Sequence, residues 1–215
     1  MPARARRAAG IVIAVPVDAP VSSPRVAPGS RAQIGAVNAL LVWVIRRAAG
    51  TREPPHLFTT LARHRRLFRR WLRFAGGLMP GGSLPRRDTE LVILRAAHNC
   101  DCAYERAHHE RIAPGAGVTA QEIARTIEGP DAPGWSERDA ALLRAADELH
   151  GERAISDATW SALRAGRTEV ELIELCMLVG HYEMLAITIG GLRIEPDEHD
   201  GRPPSRLARL AERGR

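Results

Sequence analysis

A short stretch of the chain carries many of its reactive side chains. Two of the three cysteines and three of the eight histidines lie within residues 98–110, which read HNCDCAYERAHHE. Within this stretch are the thiol of Cys102, the carboxyl of Glu105 and the imidazole of His109. All three groups can exchange protons, and a thiol can also attack an electrophile.

A helix would place these three groups on one face. At about 100° per residue, Glu105 lies about 60° from Cys102, and His109 lies about 20° from it. Glu105 and His109 also form an i,i+4 pair, whose side chains meet. A helix N-terminus and a nearby imidazolium favour a thiolate, whereas a carboxylate disfavours it. His108 lies about 120° from Cys102, which predicts packing or a subunit contact.

The pattern on one helix leaves other interpretations open. Cys102 could be a buried small side chain beside a surface Glu–His pair, because free cysteine is commonly buried. The chain also offers zinc-binding residue types at Cys100, Cys102, His108 and His109, but Cys-x-Cys followed by adjacent histidines is not a usual zinc spacing. A Cys–His hydrolase would need an oxyanion loop, and we find none in the sequence. We therefore predict neither a metal nor a cofactor.

The cluster also extends to a residue further upstream. Glu90, eleven intervening residues and then Cys102-x-x-Glu105-x-x-x-His109 resemble the site signature of the carboxymuconolactone decarboxylase and alkylhydroperoxidase D-like superfamily. The likeness covers about residues 22–195. It includes the blocks PHLFTTLARHRRLFRRWL, LPRRDTELVILRAAHNCDCAYERAHH, GVTAQEIARTIEGP and LIELCMLVGHYEML.

The resemblance implies an all-helical, oligomeric fold with a catalytic site formed by Cys102, His109, Glu90 and Glu105. Peroxidase members of the family use a Cys-x-x-Cys pair, with an upstream glutamate and a downstream histidine as a proton relay. Cys102 matches the first cysteine of that pair. Glu105 replaces the second, which attacks the peroxide in those members. Decarboxylase members lack the pair and act on a small lactone by acid–base chemistry.

Two hypotheses about function follow, and both involve a small-molecule substrate. The first is a peroxidase-like thiol enzyme in which Cys102 attacks peroxide, His109 is the base and an external thiol is the reductant. Glu90 and Glu105 would orient the histidine and relay protons. The alternative is a decarboxylase, isomerase or hydrolase that acts on a small organic acid or lactone through His109 and a glutamate.

The elements that must position these residues are predicted to be helices. A helix from Pro85 to about His98 would carry Glu90, and one from Cys102 to about Ala113 would carry the rest of the cluster. No segment shows the alternation of a strand, and Gly or Pro separates nearly every helix. The sequence therefore predicts an all-α fold.

Further helices are predicted on both sides of this pair. One runs from Ser30 to about Ala48, and another covers the apolar positions of residues 57–72. A loop is predicted at residues 76–82. Four later helices begin at caps, which are Thr119, Ser136, Ser156 and Thr168. His181 and Tyr182, on the last helix, either pack in the core or line the pocket opposite Cys102. Residues 30–195 form the single domain, after a flexible extension (1–29) and before a loose tail (196–215).

Composition indicates the class of protein and its partners. The apolar fraction of 45% supports a core, and all the fixed positive charge behind the net +6 comes from arginine. The arginines within residues 63–73 are interpreted as a solvated face or a subunit contact. No nucleic-acid motif and no apolar run of roughly 20 residues is present, so neither nucleic acid nor a membrane is a predicted partner. Three cysteines do not form a secreted disulfide framework, which favours the cytoplasm.

Overall fold

The computed structural model describes residues 23–197, which fold into an all-α bundle without strands in that range. The prediction of an all-α fold is confirmed. The elements are α1 (Arg31–Ile34), α2 (Ala36–Ala49), α3 (His56–Leu61), α4 (Arg65–Leu78), α5 (Arg86–Asn99), α6 (Ala103–Ile112), a 3-10 turn (Ala113–Ala116), α7 (Ala120–Glu128), α8 (Glu137–Glu152), α9 (Asp157–Arg164) and α10 (Glu169–Leu192).

Helix α5 lies at the centre of the bundle and packs against α6, α7, α8 and α10. Its residues 91–94, Leu-Val-Ile-Leu, have no exposed surface. Pro85 precedes its first turn, and Asp88 within that turn accepts a hydrogen bond of 2.7 Å from the buried guanidinium of Arg167. An acidic side chain is favourable at this end of a helix. Because α5 is surrounded, a polar side chain at its middle is carried into the core.

The predicted caps explain where several helices begin. Thr119, Ser136, Ser156 and Thr168 each accept a hydrogen bond from the backbone amide three residues further on. The backbone amide of Thr119 in turn donates a hydrogen bond to the side chain of Glu122. These bonds satisfy amides that have no partner within the helix.

Three predicted boundaries are wrong. The first predicted helix is divided at Gly35, which has a φ of 79°. The helix predicted over residues 57–72 consists of two helices, α3 and α4. The predicted loop at residues 76–82 begins too early, because α4 continues through Gly76 and Gly77 to Leu78. Two interior glycines cost about 1 kcal/mol each, which is offset by the burial of Leu78 at 7% exposure.

The two ends of the described range contact the bundle. The amide of Arg25 donates to the carbonyl of Leu192 over 3.0 Å, and the amide of Gly29 donates to Thr59 over 3.2 Å. Asp197 accepts a bond of 2.7 Å from the amide of His56. Residues 1–22 and 198–215, which make up most of the predicted extension and tail, lie outside the described residues.

Helix α10 is long and apolar enough to cross a membrane by length and composition alone. The sequence-based expectation that no segment reaches that length is therefore too strict. In the bundle, α10 packs against α4, α5, α8 and α9, and Leu172, Leu175 and Leu178 on it are at most 1% exposed. One side of α10 is thus packed in the core, and 44% of its most apolar window is buried.

Candidate active site

A tight turn places α5 and α6 side by side. The amide of Cys102 donates to the carbonyl of Ala97 over 2.9 Å. Asp101 takes a positive φ of 49°, a conformation that aspartate tolerates better than most residues. Cys102 is the residue before the first turn of α6, as predicted. The turn brings the middle of α5 against the last turn of α6.

Glu90 on α5 and His109 on α6 meet inside the protein. Glu90 Oε2 lies 2.7 Å from His109 Nδ1, and the two residues are 0% and 1% exposed. Arg86, one turn before Glu90, donates to its other oxygen over 3.0 Å. Because a carboxylate can only accept, Nδ1 is the donor in this hydrogen bond, and the lone pair of a neutral ring would then lie on Nε2.

Glu105 lies on the other side of the imidazole. Its Oε2 is 3.6 Å from His109 Nε2, and the residue is only 4% exposed. Burial raises the pKa of Glu105, the charge of His109 lowers it, and the charge of Asp197 raises it further. Its Oε1 has no hydrogen-bond partner within the described residues. The imidazole therefore lies between two carboxyl groups with different surroundings: Glu90 is hydrogen-bonded to Nδ1 and to Arg86, and Glu105 is a buried acid.

Cys102 is buried, as its predicted partners are. It is 7% exposed and belongs to the main hydrophobic core. Burial raises the pKa of the thiol, the amides of Glu105 and Tyr104 lower it, and the carboxylate of Glu105 raises it. The net shift is upward, so the predicted activation of the thiol by the helix start is outweighed.

A cavity of about 220 Å³ opens beside the imidazole. Its walls are mostly aromatic and aliphatic. The lining residues are Ile45, Leu57, Phe58, Trp71, Leu72, Ala75, Gly76, Leu78, Met79, Tyr104, Glu105, His108, His109, His181, Tyr182 and Leu185. Of the four predicted site residues, Glu105 and His109 line this cavity. Glu90 lies behind His109, and Cys102 is not part of the described lining.

Two tyrosines add hydroxyl groups to the walls of the cavity. Tyr182 contacts His109 edge-on, with ring centroids 5.2 Å apart. Burial, followed by the charges of Glu105 and Glu90, raises the pKa of Tyr182 well above its ordinary value, so the phenol keeps its proton. The hydroxyl of Tyr104 donates to Asp197 over 2.5 Å.

Two histidines, His108 and His181, also line the cavity, and the ring of His108 packs edge-on against His109 with centroids 5.4 Å apart. His181 is 5% exposed and stacks on Trp71 with centroids 6.1 Å apart. Burial lowers its pKa to about 4, and its Nδ1 has no partner in the part of the chain that the structure describes. His181 is therefore a neutral imidazole with one unused nitrogen at the cavity. Packing and pocket lining, posed as alternatives from sequence, are both correct for this residue.

The alternative zinc interpretation of the sequence is not supported by the geometry. His109 Nδ1 faces Glu90, and Cys100 Sγ lies 3.8 Å from His150 Nδ1 on α8. Among the described residues, the four candidate ligands do not form a group that could hold one ion. Arg86 and Tyr104 were missed as neighbours of the site. The i,i+4 spacing of Arg86 and Glu90 could have indicated the first of them.

The helical bundle has the fold of alkylhydroperoxidase AhpD-like structures. The fold matches a peroxidase-related protein from Ralstonia eutropha with an alkylhydroperoxidase AhpD core, at a TM-score of 0.73 and 17% identity over 84% of this chain and 94% of that one. A peroxidase-related protein from a Silicibacter species matches at 0.70 and 15% identity, over 86% and 94%. The debrominase Bmp8 matches at 0.69 and 14% identity, over 87% and 95%.

Sequence comparison points to the same family. Residues 65–148 match the model of the carboxymuconolactone decarboxylase family, and this segment contains all four predicted site residues. This match, together with the shared fold, supports the resemblance to the carboxymuconolactone decarboxylase and alkylhydroperoxidase D-like superfamily that the sequence predicts. No curated protein matches the sequence.

Proposed function

We propose that this protein is an acid–base enzyme that moves a proton on a small, uncharged carbonyl compound with a neighbouring C=C bond, such as an unsaturated lactone or an enone. One observation carries the proposal. Glu105 and His109 face each other across 3.6 Å and both line the cavity, whereas Cys102 is not part of its described lining. The groups next to the space for a substrate are thus proton carriers.

In this proposal His109 is the base. Glu90 holds the proton on Nδ1 at 2.7 Å, which leaves the Nε2 lone pair to accept a proton from the carbon next to the carbonyl. The carboxylate of Glu90 stabilises the imidazolium that forms. Arg86, at 3.0 Å from the other oxygen of Glu90, holds that carboxylate in place.

Glu105 is the acid. Because burial raises its pKa, this carboxyl retains a proton at higher pH than an exposed glutamate does. When His109 takes the proton, the electron pair moves through the conjugated system towards the carbonyl oxygen, where the phenol of Tyr182 can donate a hydrogen bond. Glu105 then protonates a second carbon. The imidazolium returns its proton to Glu105, so the cycle balances without a further reactant.

The cavity favours an uncharged substrate. Its described lining contains no Arg or Lys, and its volume of about 220 Å³ is below the range usual for drug-sized ligands. A substrate carboxylate would be desolvated beside Glu105 without a cationic partner. The neutral His181, with an unused nitrogen, suits a single hydroxyl or amide donor on a flat molecule stacked near Trp71.

The test is hydrogen–deuterium exchange in D2O, followed by NMR, with a panel of small lactones and enones and matched carboxylates. We expect the protein to exchange the proton next to the carbonyl of the neutral compounds. Glu105→Gln and His109→Gln should lower the rate by about 10²- to 10⁴-fold, and Cys102→Ser should retain it. Exchange that depends on Cys102, or that occurs only with the carboxylates, would overturn the proposal.

The second candidate is the peroxidase-like thiol enzyme. The observation that favours it is the position of Cys102 at the start of α6, where the amides of Glu105 and Tyr104 lower the pKa of its thiol. The thiolate would attack the peroxide, releasing water or an alcohol and leaving a sulfenic acid, which two equivalents of an external thiol reduce. Sulfenic acid trapping, with Cys100 and Cys176 changed to serine, tests this route. Labelling after peroxide that Cys102→Ser abolishes would support it, and no labelling would exclude it.

We also propose that the protein is a homo-oligomer. An apolar stripe runs along the exposed side of α10, where every member is at least 44% exposed; its members are Val170, Ile173, Met177, Met184 and Ile187. Exposed apolar patches of this kind mark contacts between proteins. Light scattering coupled to size exclusion should give a mass of at least two chains. Ile187→Glu should lower that mass, and a monomeric wild type would contradict the proposal.

A further inference from the structure

A second group of reactive side chains lies away from the cavity. It consists of Cys100 at the end of α5, His150 in the last turn of α8 and Glu183 on α10. Cys100 Sγ lies 3.8 Å from His150 Nδ1, and Glu183 Oε1 lies 3.0 Å from the same nitrogen. One ligand atom from each residue falls within 4.8 Å of both others. Three helices thus present a sulfur, a nitrogen and an oxygen at one point.

The geometry differs from that of a catalytic Cys–His–Glu relay. In a relay, the nucleophile and the carboxylate contact opposite nitrogens of the imidazole. Here both converge on Nδ1. A tetrahedral zinc ion with normal bond lengths holds its ligand atoms about 3.3–3.6 Å apart. The observed separations of 3.0 and 3.8 Å reach that range with small side-chain movements.

The charges around the group also suit a cation. Glu183 is 16% exposed at its side chain and is held by Arg153, whose Nη1 lies 2.7 Å from Oε1. Arg153 is 67% exposed, so its guanidinium can swing into solvent. Burial, followed by the charge of Glu183, raises the pKa of Cys100 to about 11. A bound ion would replace the positive charge of Arg153 and stabilise the thiolate.

We infer that Cys100, His150 and Glu183 form a binding site for a zinc-type divalent ion, with the fourth position left to water. Thiolate, imidazole and carboxylate are the ligands that zinc takes in proteins. The ion would link the C-terminal ends of α5 and α8 to the middle of α10, because each helix would provide one ligand. The inference is independent of the proposed acid–base function, because none of the three residues lines the cavity.

The experiment uses the full chain without a histidine tag, first stripped of metal with a chelator. Titration with Zn²⁺ by calorimetry should give one site per chain and release about one proton per ion at neutral pH, because the thiol must ionise. Co²⁺ should produce a thiolate-to-metal absorption band. Cys100→Ser should abolish that band and weaken Zn²⁺ binding by at least about tenfold, as should His150→Ala for binding.

Two further variants separate a built site from chance binding at a thiol. Cys176→Ser, which changes another half-buried cysteine, should bind Zn²⁺ like the wild type. Arg153→Ala should tighten binding by about two- to fivefold, because it removes the competing cation from Glu183. Equal affinity in wild type and Cys100→Ser, equal losses in Cys100→Ser and Cys176→Ser, or weaker binding in Arg153→Ala would each overturn the inference.

Discussion

Replacing Glu105 by glutamine should stabilise the protein while it reduces activity. The carboxyl of Glu105 is 4% exposed, and burial raises its pKa above the ordinary value of 4.5. The folded state therefore favours the protonated acid more than the unfolded state does. Below pH 4.5 both states are protonated, and this group costs nothing. As the pH rises through the pKa of the folded state, the stability is lost, because the unfolded chain releases its proton more easily.

The size of the effect follows from the burial of the group. Each unit of pKa difference between folded and unfolded states corresponds to about 1.4 kcal/mol. Glutamine has nearly the same shape as glutamate and cannot ionise, so it removes the pH-dependent cost. Since Oε1 of Glu105 has no partner among the described residues, we expect Glu105→Gln to gain about 1–3 kcal/mol at pH 8. Near pH 4 the gain should disappear.

Urea unfolding followed by circular dichroism at pH 4, 6 and 8 measures this difference without a substrate. Glu110→Gln is a matched control on the same helix, because that side chain is 43% exposed and pairs with Arg106 at the surface. The control should change stability by less than about 0.5 kcal/mol at every pH. A Glu105→Gln variant whose stability follows the wild type across this range would refute the assignment of Glu105 as a buried acid.

Three other variants or reagents test the surroundings of the site. Alkylation of Cys102 by iodoacetamide should be slow at pH 7 and accelerate above pH 9, because the pKa of the thiol is raised. A mass spectrometric time course measures the rate, and fast labelling at pH 7 would contradict this expectation. His181→Phe should raise the melting temperature, because it removes a buried polar nitrogen without a described partner. The free energy of unfolding should rise by about 1–3 kcal/mol. A lower melting temperature would indicate that His181 has a structural role. Asp88→Asn should lower the free energy of unfolding in urea by about 3–5 kcal/mol, because the 1% exposed side chain of Arg167 loses its charged partner. A smaller loss would mean that the ion pair is hydrated.

Local patterns in the sequence predicted part of the geometry of the candidate site. The 100° periodicity of α6 predicts that Glu105 and His109 share a face, and the structure has them 3.6 Å apart. The family likeness adds Glu90, which lies on a different helix and could not be placed by periodicity. Caps such as Thr119 with Glu122 were readable because their bonds span three residues.

Features that depend on distant packing could not be predicted in this way. Periodicity places Cys102 on the stripe of Glu105 and His109, yet the residue belongs to the core cluster and is not part of the described lining of the cavity. The partners of Cys100 lie 50 and 83 residues away in sequence, at His150 and Glu183, and no short motif links them. The failure at Gly76 and Gly77 has the same origin, since burial of Leu78 outweighs local propensity.

The exchange of cysteine for glutamate at position 105 changes what the site can do. A second thiol at this position would face the imidazole and could form a disulfide with Cys102, whereas a carboxyl offers a proton and cannot be oxidised. The raised pKa of Cys102 removes the usual activation of the remaining thiol. Burial raises the pKa of both Cys102 and Glu105, so each side chain keeps its proton at higher pH than an exposed one does. This shared shift supports the proposed acid–base function, in which Glu105 and His109 exchange a proton, over the proposed attack by sulfur.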